Sequence, residues 1–532
     1  MSGIRVFFLF ACAITISGGP AAAQTLTVEA APAHAVNSFS PVCALGAGVD
    51  RLDLGAADHV FTESMRKEIL ASSWQPVTYG QNTELHAEAW HRDPKGTWSD
   101  PSGVLCSARP WLGQVGQTEI TKWQYGRNGA ISLTYDDGSI NQFRVAVPLM
   151  DSFGFPATFF IITSQIPNSR YHGTFIGRPT SAIVEETATV PTKQDNFFER
   201  ASAIAFLGYQ GTADYHTRAG ETYDEEKDFA KAYQIIDDGY AKVRQGAFKP
   251  APAHEISTNQ ENAITWEALN ALAKRGYEFA SHTVTHPRVA VLDDANLVYE
   301  LEKSRQEILD HLGFTHTFSV ECPYGTEDSR GVAYALERFQ AARNRMPDSF
   351  VEDLDRASTA DPTISKKEYV RWQRGVLTQT PMEQIKSWVD TAATHDNIWL
   401  VFVSHGVDGV GWEPKTHQEI KEYLAYVKSK EASLWIATFE DVTKYMRERA
   451  HGEVRSYHDG DAVSVVLRDD LTDLSYDLPI TLKTCVPGDW HAVEVRQGTR
   501  TTRAGVVRDQ GRSYVLYQAI PNAEVLRLVR VQ

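Results

Sequence analysis

The chain has 532 residues, 42% of them hydrophobic and 23% charged, with a formal charge of −16. This is the composition of folded globular protein rather than of a disordered or collagenous chain. The acidic balance, spread along the sequence, excludes the basic face that a nucleic-acid partner requires. At roughly 150 residues per domain there is room for two to four domains.

At the N-terminus, Arg5 precedes an apolar run from Val6 to about Ile16, then Ser17-Gly18-Gly19-Pro20 and Ala21-Ala22-Ala23. A positive charge, a short apolar core and a small-residue end are the layout of a cleaved secretory signal. Residues 1–23 are therefore expected to be removed near Ala23, leaving a periplasmic or secreted protein. The run is too short to span a bilayer comfortably and no later segment does better, so no transmembrane segment is expected. Once Cys12 leaves, Cys43, Cys106, Cys322 and Cys485 remain. Cys43 and Cys106 flank one segment and form the candidate disulfide, whose pairing stays open; without a C-x-x-C, a cysteine zinc site is not supported.

Residues 24–127 form an N-terminal accessory segment rich in aromatics. Trp74, Trp90, Trp98, Trp111 and Trp123 place five of the chain's 12 tryptophans there. Such rings suit a sugar-stacking face, but burial in a small core is the favoured reading. From 128 to 449 apolar strands alternate with helices. Strands are predicted at Ala130–Tyr135, Ala157–Thr163, Tyr277–Ser281, Thr317–Val320, Ile398–Ser404 and Leu434–Thr438. Thr265 is expected to cap a helix that stops at Gly276, and Leu297, Leu301, Ile308 and Leu312 share one helical face. Thr380-Pro381-Met382-Glu383 and Thr416 with Glu419 read as capping boxes. This alternation implies a parallel α/β sheet, open or closed into a barrel. An insertion at about 165–260 interrupts it, with a Thr-rich loop (180–193), a polar helix from Glu221 to Arg244 and a Pro-rich run at 249–252. Residues 450–532, with short alternating strands between Gly, Asp and Pro, read as a small β-sandwich.

Four strand ends carry chemistry. Ser132-Leu133-Thr134-Tyr135-Asp136-Asp137-Gly138 runs an apolar strand into two carboxylates, which leave the strand in different directions and suit two different tasks; as an isolated pattern it is also a common turn. Ser281-His282-Thr283-Val284-Thr285-His286-Pro287 sets two histidines four apart, a spacing that brings two neutral imidazoles to one side of a helical turn as zinc ligands. His405 ends the apolar strand Ile398–Ser404, where a group of pKa near 6.5 suits acid catalysis. Cys322-Pro323-Tyr324-Gly325 can aim a backbone N–H at an oxyanion. Carboxyl ends of parallel strands are where α/β active sites gather.

In this order, Asp-Asp-Gly, His-x-x-x-His, Pro-Tyr-Gly and a strand-terminal histidine resemble the polysaccharide deacetylases of the NodB-homology type, carbohydrate esterase family four. The resemblance covers roughly 128–448, leaving 165–260 unmatched. It implies a distorted (β/α) barrel and a hydrolase removing acetyl groups from an acetylated glycan. By the same resemblance Asp137, His282 and His286 bind Zn²⁺ or another divalent ion such as Co²⁺. Asp136 is the general base, His405 the general acid, and the Tyr324 backbone N–H an oxyanion donor. Two positions depart from the family. Glu321 stands where an arginine usually holds the base, leaving Arg371 and Arg374 as candidate replacements, and the acidic residue before a tryptophan has no counterpart near Arg371-Trp372. An O-deacetylase or a non-sugar amidase would use the same metal site, and a glycan-binding protein with a degenerate site is the reading from another class. The native metal, the glycan and the oligomeric state are left open.

Overall fold

A computed structural model describes residues 115–251, 264–325, 328–459, 462–509 and 511–531, with two short strands upstream. The chain divides into two compact units, Met1–Leu112 and Gly113–Gln532. In the first, β1 (Ala47–Asp50) and β2 (Val77–Gly80) pair in parallel. The signal sequence, Cys43 and Cys106, and four of the five N-terminal tryptophans lie outside the described residues. The fifth, Trp123, belongs to the second unit, where it is fully buried, edge-on to Tyr369, and its Nε1 donates to the Asp396 carbonyl.

The second unit opens with β3 (Thr118–Ile120) and continues into β4 (Gly129–Asp137), β5 (Thr158–Ile161), β6 (Glu278–Ser281), β7 (Ser319–Val320), β8 (Ala341–Ala342), β9 (Val351–Leu354), β10 (Tyr369–Gly375), β11 (Ile398–Ser404) and β12 (Leu434–Ile436). β4 to β12 form one all-parallel sheet, ordered β8-β7-β6-β5-β4-β11-β10-β9, with β12 also on β4. The parallel α/β sheet expected from the sequence is thus present, with β8 and β9 at its two edges. β11 is buried along its whole length, which is why it reads as an unbroken apolar run. One face packs Ile131, Leu133, Phe159 and Phe402 against Ile385, Val389, Ile420 and Leu424 of helices Met382–Thr394 and His417–Ser429. The other sets Phe160, Trp399 and Val401 against Phe439, Val442 and Met446 of helix Phe439–Ala450.

That last helix leads into β13 (Glu453–Asp459), β14 (Ala462–Arg468), β15 (Ile480–Cys485), β16 (Ala492–Gln497), β17 (Arg500–Asp509), β18 (Arg512–Ala519) and β19 (Leu526–Arg530). Together with β3 they make an eight-stranded antiparallel sheet, ordered β13-β14-β19-β16-β17-β18-β15-β3. It curls until Gly116, just before β3, lies against His458 of the opposite edge strand, giving a barrel-like module. Residues 118–120, which the sequence groups with the N-terminal segment, are thus part of the C-terminal sheet.

Three local expectations change. The insertion is mostly helical: Thr180–Glu186, Phe197–Ile204, Ala213–Asp224 and Phe229–Arg244 surround a core of Phe197, Ile204, Ile236 and Tyr240. The predicted Thr-rich loop begins with the first of these helices. The helix predicted from Glu221 to Arg244 is broken near Lys227, whose φ of 57° no helix accommodates, and restarts with Asp228 accepting from the Lys231 N–H. Thr416 and Glu419 form a reciprocal capping box, but Thr380 does not: its hydroxyl bonds the Gly375 carbonyl, and Pro381 occupies the cap of helix Met382–Thr394.

Candidate active site

β4, β6, β7 and β11 all end at the same edge of the parallel sheet, so the four sequence motifs meet. Asp137 Oδ1 lies 3.7 Å from His282 Nε2 and 3.4 Å from His286 Nε2, and the three donor atoms fall within 4.8 Å of one another. A tetrahedral ion with ligands at 2.0–2.2 Å needs donors about 3.4 Å apart, so the set fits a zinc-sized cation. His282 Nδ1 bonds the Glu321 carbonyl at 3.0 Å, which turns the Nε2 lone pair toward the cluster. Burial lowers the His282 pKa to about 4, and burial followed by the His282 charge lowers that of His286, so both rings are neutral donors. Burial and the neighbouring Asp136 charge push Asp137 up to about 7.

Asp136, the candidate base, is held by a residue that nothing in the sequence marks. Arg343, on the turn after β8, grips Asp136 with two parallel bonds of 2.7 Å, from Nη1 to Oδ1 and from Nη2 to Oδ2. Its Nη2 also lies 2.9 Å from Glu321 Oε1, and all three side chains are buried. Burial alone would raise Asp136, but Arg343 and then His405 hold it well below the usual carboxylate range. Burial raises Glu321 to about 7 against the pull of Arg343. Glu321 thus stands after β7, and the cation that holds Asp136 comes from Arg343 after β8, one strand further along the sheet. Arg371 and Arg374 do not reach the base. Arg371 Nε pairs with Asp353 Oδ1 at 2.7 Å, and Arg374 donates to the carbonyls of Asp355, Gln373 and Ser358. An arginine directly after the Ala341–Ala342 pair carries no signal in a sequence where so short a strand is invisible.

On the other side of Asp136, His405 Nε2 lies 3.4 Å from Oδ2. Burial holds the ring at about 4, so it is neutral at rest. Trp412 packs edge-on against it, with centroids 4.6 Å apart. A Cβ on Gly406 would stand 2.8 Å from the Val410 carbonyl, so the loop can fold back this closely only after a glycine. Gln142, in a single π-helical turn (Gln142–Ala146), donates from Nε2 to the carbonyls of both Asp136 and His405 and ties the two strand ends together. The Tyr324 ring lies tilted against His286, with centroids 4.7 Å apart. Asp137, Thr283, His286 and Tyr324 all have φ between 62° and 74°, backbone that costs of order 1–3 kcal/mol each in a non-glycine residue and clusters at functional sites. Buried Glu300 offsets part of this by accepting from the Val284 and Thr285 N–H groups inside the His-x-x-x-His loop.

The insertion completes the site. Its helix Ala213–Asp224 hydrogen-bonds the Tyr324 side chain through Thr217. Phe206, His216 and Thr217 join Asp137, His286 and Trp412 around a pocket of about 500 Å³. His216 is structural: Nδ1 bonds the Ala201 carbonyl and Nε2 accepts from the Arg288 N–H.

A family model described as polysaccharide deacetylase matches residues 227–339, which include the His-x-x-x-His and Pro-Tyr-Gly motifs. A gellan lyase from Bacillus sp. is 24% identical over 277 residues, covering 48% of this chain and 11% of that protein, so the chain spans about a tenth of its length. Among solved structures, the Bc1960 peptidoglycan N-acetylglucosamine deacetylase is 11% identical over 62% of this chain and 90% of its own (TM-score 0.29). The peptidoglycan deacetylase PdaC from Bacillus subtilis is 12% identical over 62% and 95% (TM-score 0.29). A family 4 carbohydrate esterase from Streptomyces lividans is 12% identical over 60% and 95% (TM-score 0.28).

Proposed function

We infer that this chain, which carries a polysaccharide deacetylase domain of the NodB-homology type, is a metal-dependent hydrolase that removes N-acetyl groups from an acetylated glycan outside the cytoplasm. The observation that carries the reading is the Asp136–Arg343 pair. With Glu321 at the usual arginine position the base looked unsupported, yet a guanidinium arrives from the next strand and holds both carboxylate oxygens. That favours a working site over a degenerate one. Export rests on the charge and apolar run of residues 5–23.

Asp137, His282 and His286 would hold the ion, which when bound supplies a Lewis acid for the amide carbonyl and an acidified water. Asp136 still has free lone pairs beyond its two bonds to Arg343, and it accepts the proton released as water attacks. Arg343 keeps Asp136 ionised at any working pH, so it is always ready to accept and quick to release. His405, neutral at rest, lacks the acidic proton of an imidazolium. It takes the one passed across the 3.4 Å gap from Asp136 and delivers it to the nitrogen as the C–N bond breaks. The products are acetate and a free sugar amine. The Tyr324 N–H is the candidate donor to the developing oxyanion.

Acetate release from a panel of N- and O-acetylated glycans, after EDTA treatment and after zinc or cobalt add-back, tests this reading. Release from N-acetyl sugars that requires metal is expected. Release from O-acetyl sugars alone would make the enzyme an esterase, and none from any glycan would leave a binding protein.

A further inference from the structure

On the other side of Tyr324 from the pocket already described lies a second one of about 480 Å³, sharing Glu321, Tyr324 and Arg343 with the catalytic centre. Its wall is far more polar, and its carboxylates are already engaged. Glu321 pairs with Arg343, Asp353 with Arg371, Glu225 with Arg288 and Asp224 with Lys227. Asp355 Oδ1 accepts from the backbone N–H groups of Ala357 and Ser358. Two cations remain. Half-buried Arg356 donates from Nη2 to the Tyr324 carbonyl at 2.8 Å, and exposed Arg345 stands on the segment following Arg343. Neither meets a carboxylate among the described residues.

Arg356 is also placed by the Pro-Tyr-Gly turn. A Cβ on Gly325, whose φ is 70°, would sit 3.3 Å from Arg356 Nη2, so the glycine opens the space the guanidinium fills. A guanidinium has five N–H donors in a planar fork, and one carbonyl uses only one of them.

We propose that this pocket receives an oxyanion substituent of the glycan, the carboxylate of a uronic-acid-type residue next to the acetylated sugar, through Arg356 and Arg345. The class of substrate is then an acidic N-acetylated polysaccharide rather than a neutral one. The proposal rests on the deacetylase reading only in taking the ligand to be a glycan. Apolar and aromatic surface from Phe206 and Trp412 lines the first pocket, while the second presents the unused N–H donors of Arg356 and Arg345, so successive sugars of unlike character fit the two sides of Tyr324. Charge-assisted bidentate contacts are the strong ones, and about tenfold in affinity is expected from each arginine.

The test is equilibrium binding by calorimetry to the full chain carrying Asp136→Asn, which prevents turnover. Three tetrasaccharides of equal length serve as probes: N-acetylglucosamine alone, N-acetylglucosamine alternating with a uronic acid, and a sulfated form of the first. The uronate form is expected to bind at least about tenfold tighter than the neutral one. That ratio should fall about tenfold in Arg345→Gln and about tenfold in Arg356→Gln, and toward one in the double variant, with partial recovery in Arg345→Lys. Arg345 makes no bond to the Tyr324 turn, so its variant separates charge recognition from any disturbance of the turn. Sulfate binding tighter than uronate supports the oxyanion site while changing its ligand. Equal affinity for neutral and uronate forms, or a preference that survives both Arg→Gln changes, overturns it. Wild-type acetate release, measured in parallel, reports on the deacetylase reading alone: uronate binding without acetate sinks that reading and spares the pocket, and acetate release without charge preference does the reverse.

Discussion

At the carboxyl edge of the parallel sheet, Asp136, Glu321 and Arg343 are buried together and four non-glycine residues sit at positive φ. In the helical insertion the interior is Phe197, Ile204, Ile236 and Tyr240, and its helices follow ordinary geometry. Buried charge and strained backbone are both unfavourable in isolation, so the sheet edge must be over-determined by its surroundings, as Gln142 and Glu300 illustrate. The insertion's liabilities are fewer and scattered: fully buried Arg200, paired with Glu186, Lys227 at φ 57°, and buried His216. The contrast teaches a division of labour. The sheet positions the candidate reacting groups, while the insertion shapes the space beside them.

The largest effect should come from breaking the reacting groups themselves. Asp136→Asn removes the proton acceptor while leaving Asp137, His282 and His286 in place. Acetate release should fall by about 10²–10⁴-fold, with metal content unchanged by elemental analysis. Asp137→Ala should lose both. If Asp136→Asn keeps its rate, the base is elsewhere and the sheet edge is less committed to chemistry than its geometry implies.

Next in size is the ion cluster. Arg343→Leu strands two buried carboxylates, and removing one partner of a buried pair typically costs about 3–5 kcal/mol. Denaturant unfolding should show a loss of that order, with activity lost as well. Arg343→Leu combined with Glu321→Leu should recover part of the stability and none of the activity, because Asp136 still lacks its partner. A single variant as stable as the parent would mean that Arg343 does not carry the cluster.

What the sequence could and could not reveal follows the same line. Asp137, His282, His286 and His405 were legible because each follows an apolar strand and strand ends of one sheet must converge. β11 was legible to the residue, since burial on both faces leaves no polar interruption. Arg343 was not, because β8 is two residues long and its partner Glu321 comes from a different strand; nothing local marks the pairing. β10 was hidden for a related reason: Arg371 and Gln373 are buried polar residues that spoil its apolar pattern. β17 was hidden because its side chains are almost all exposed or half-exposed. The two Thr-Glu motifs separated only in three dimensions, where Gly375 takes the Thr380 hydroxyl.

The insertion's own liability gives a pH test of intermediate size. Burial lowers His216 from about 6.5 unfolded to about 4 folded. A depressed folded pKa means the stabilisation is complete above pH 6.5 and is lost as pH falls toward 4. Over that window the loss from this group is about 3 kcal/mol. Wild type should therefore show a steeper fall in unfolding free energy between pH 6.5 and 4 than His216→Asn. Parallel pH profiles for the two proteins would remove His216 as the insertion's weak point.

The smallest effect asks whether the two regions open separately. Asp228 caps the insertion helix Phe229–Arg244 by accepting from the Lys231 N–H, and Thr416 caps His417–Ser429 against the sheet with its reciprocal Glu419. Either side chain replaced by alanine should cost about 1 kcal/mol. The insertion has its own apolar core, so Asp228→Ala should speed hydrogen exchange within Phe229–Arg244 and leave β4 and β11 at their original rates. Thr416→Ala acts on a helix whose Ile420 and Leu424 pack directly on the sheet, so β11 amides should exchange faster along with the helix. If Asp228→Ala accelerates β4 and β11 as much as its own helix, sheet edge and insertion open as one cooperative unit, and the division of labour is one of chemistry without being one of stability.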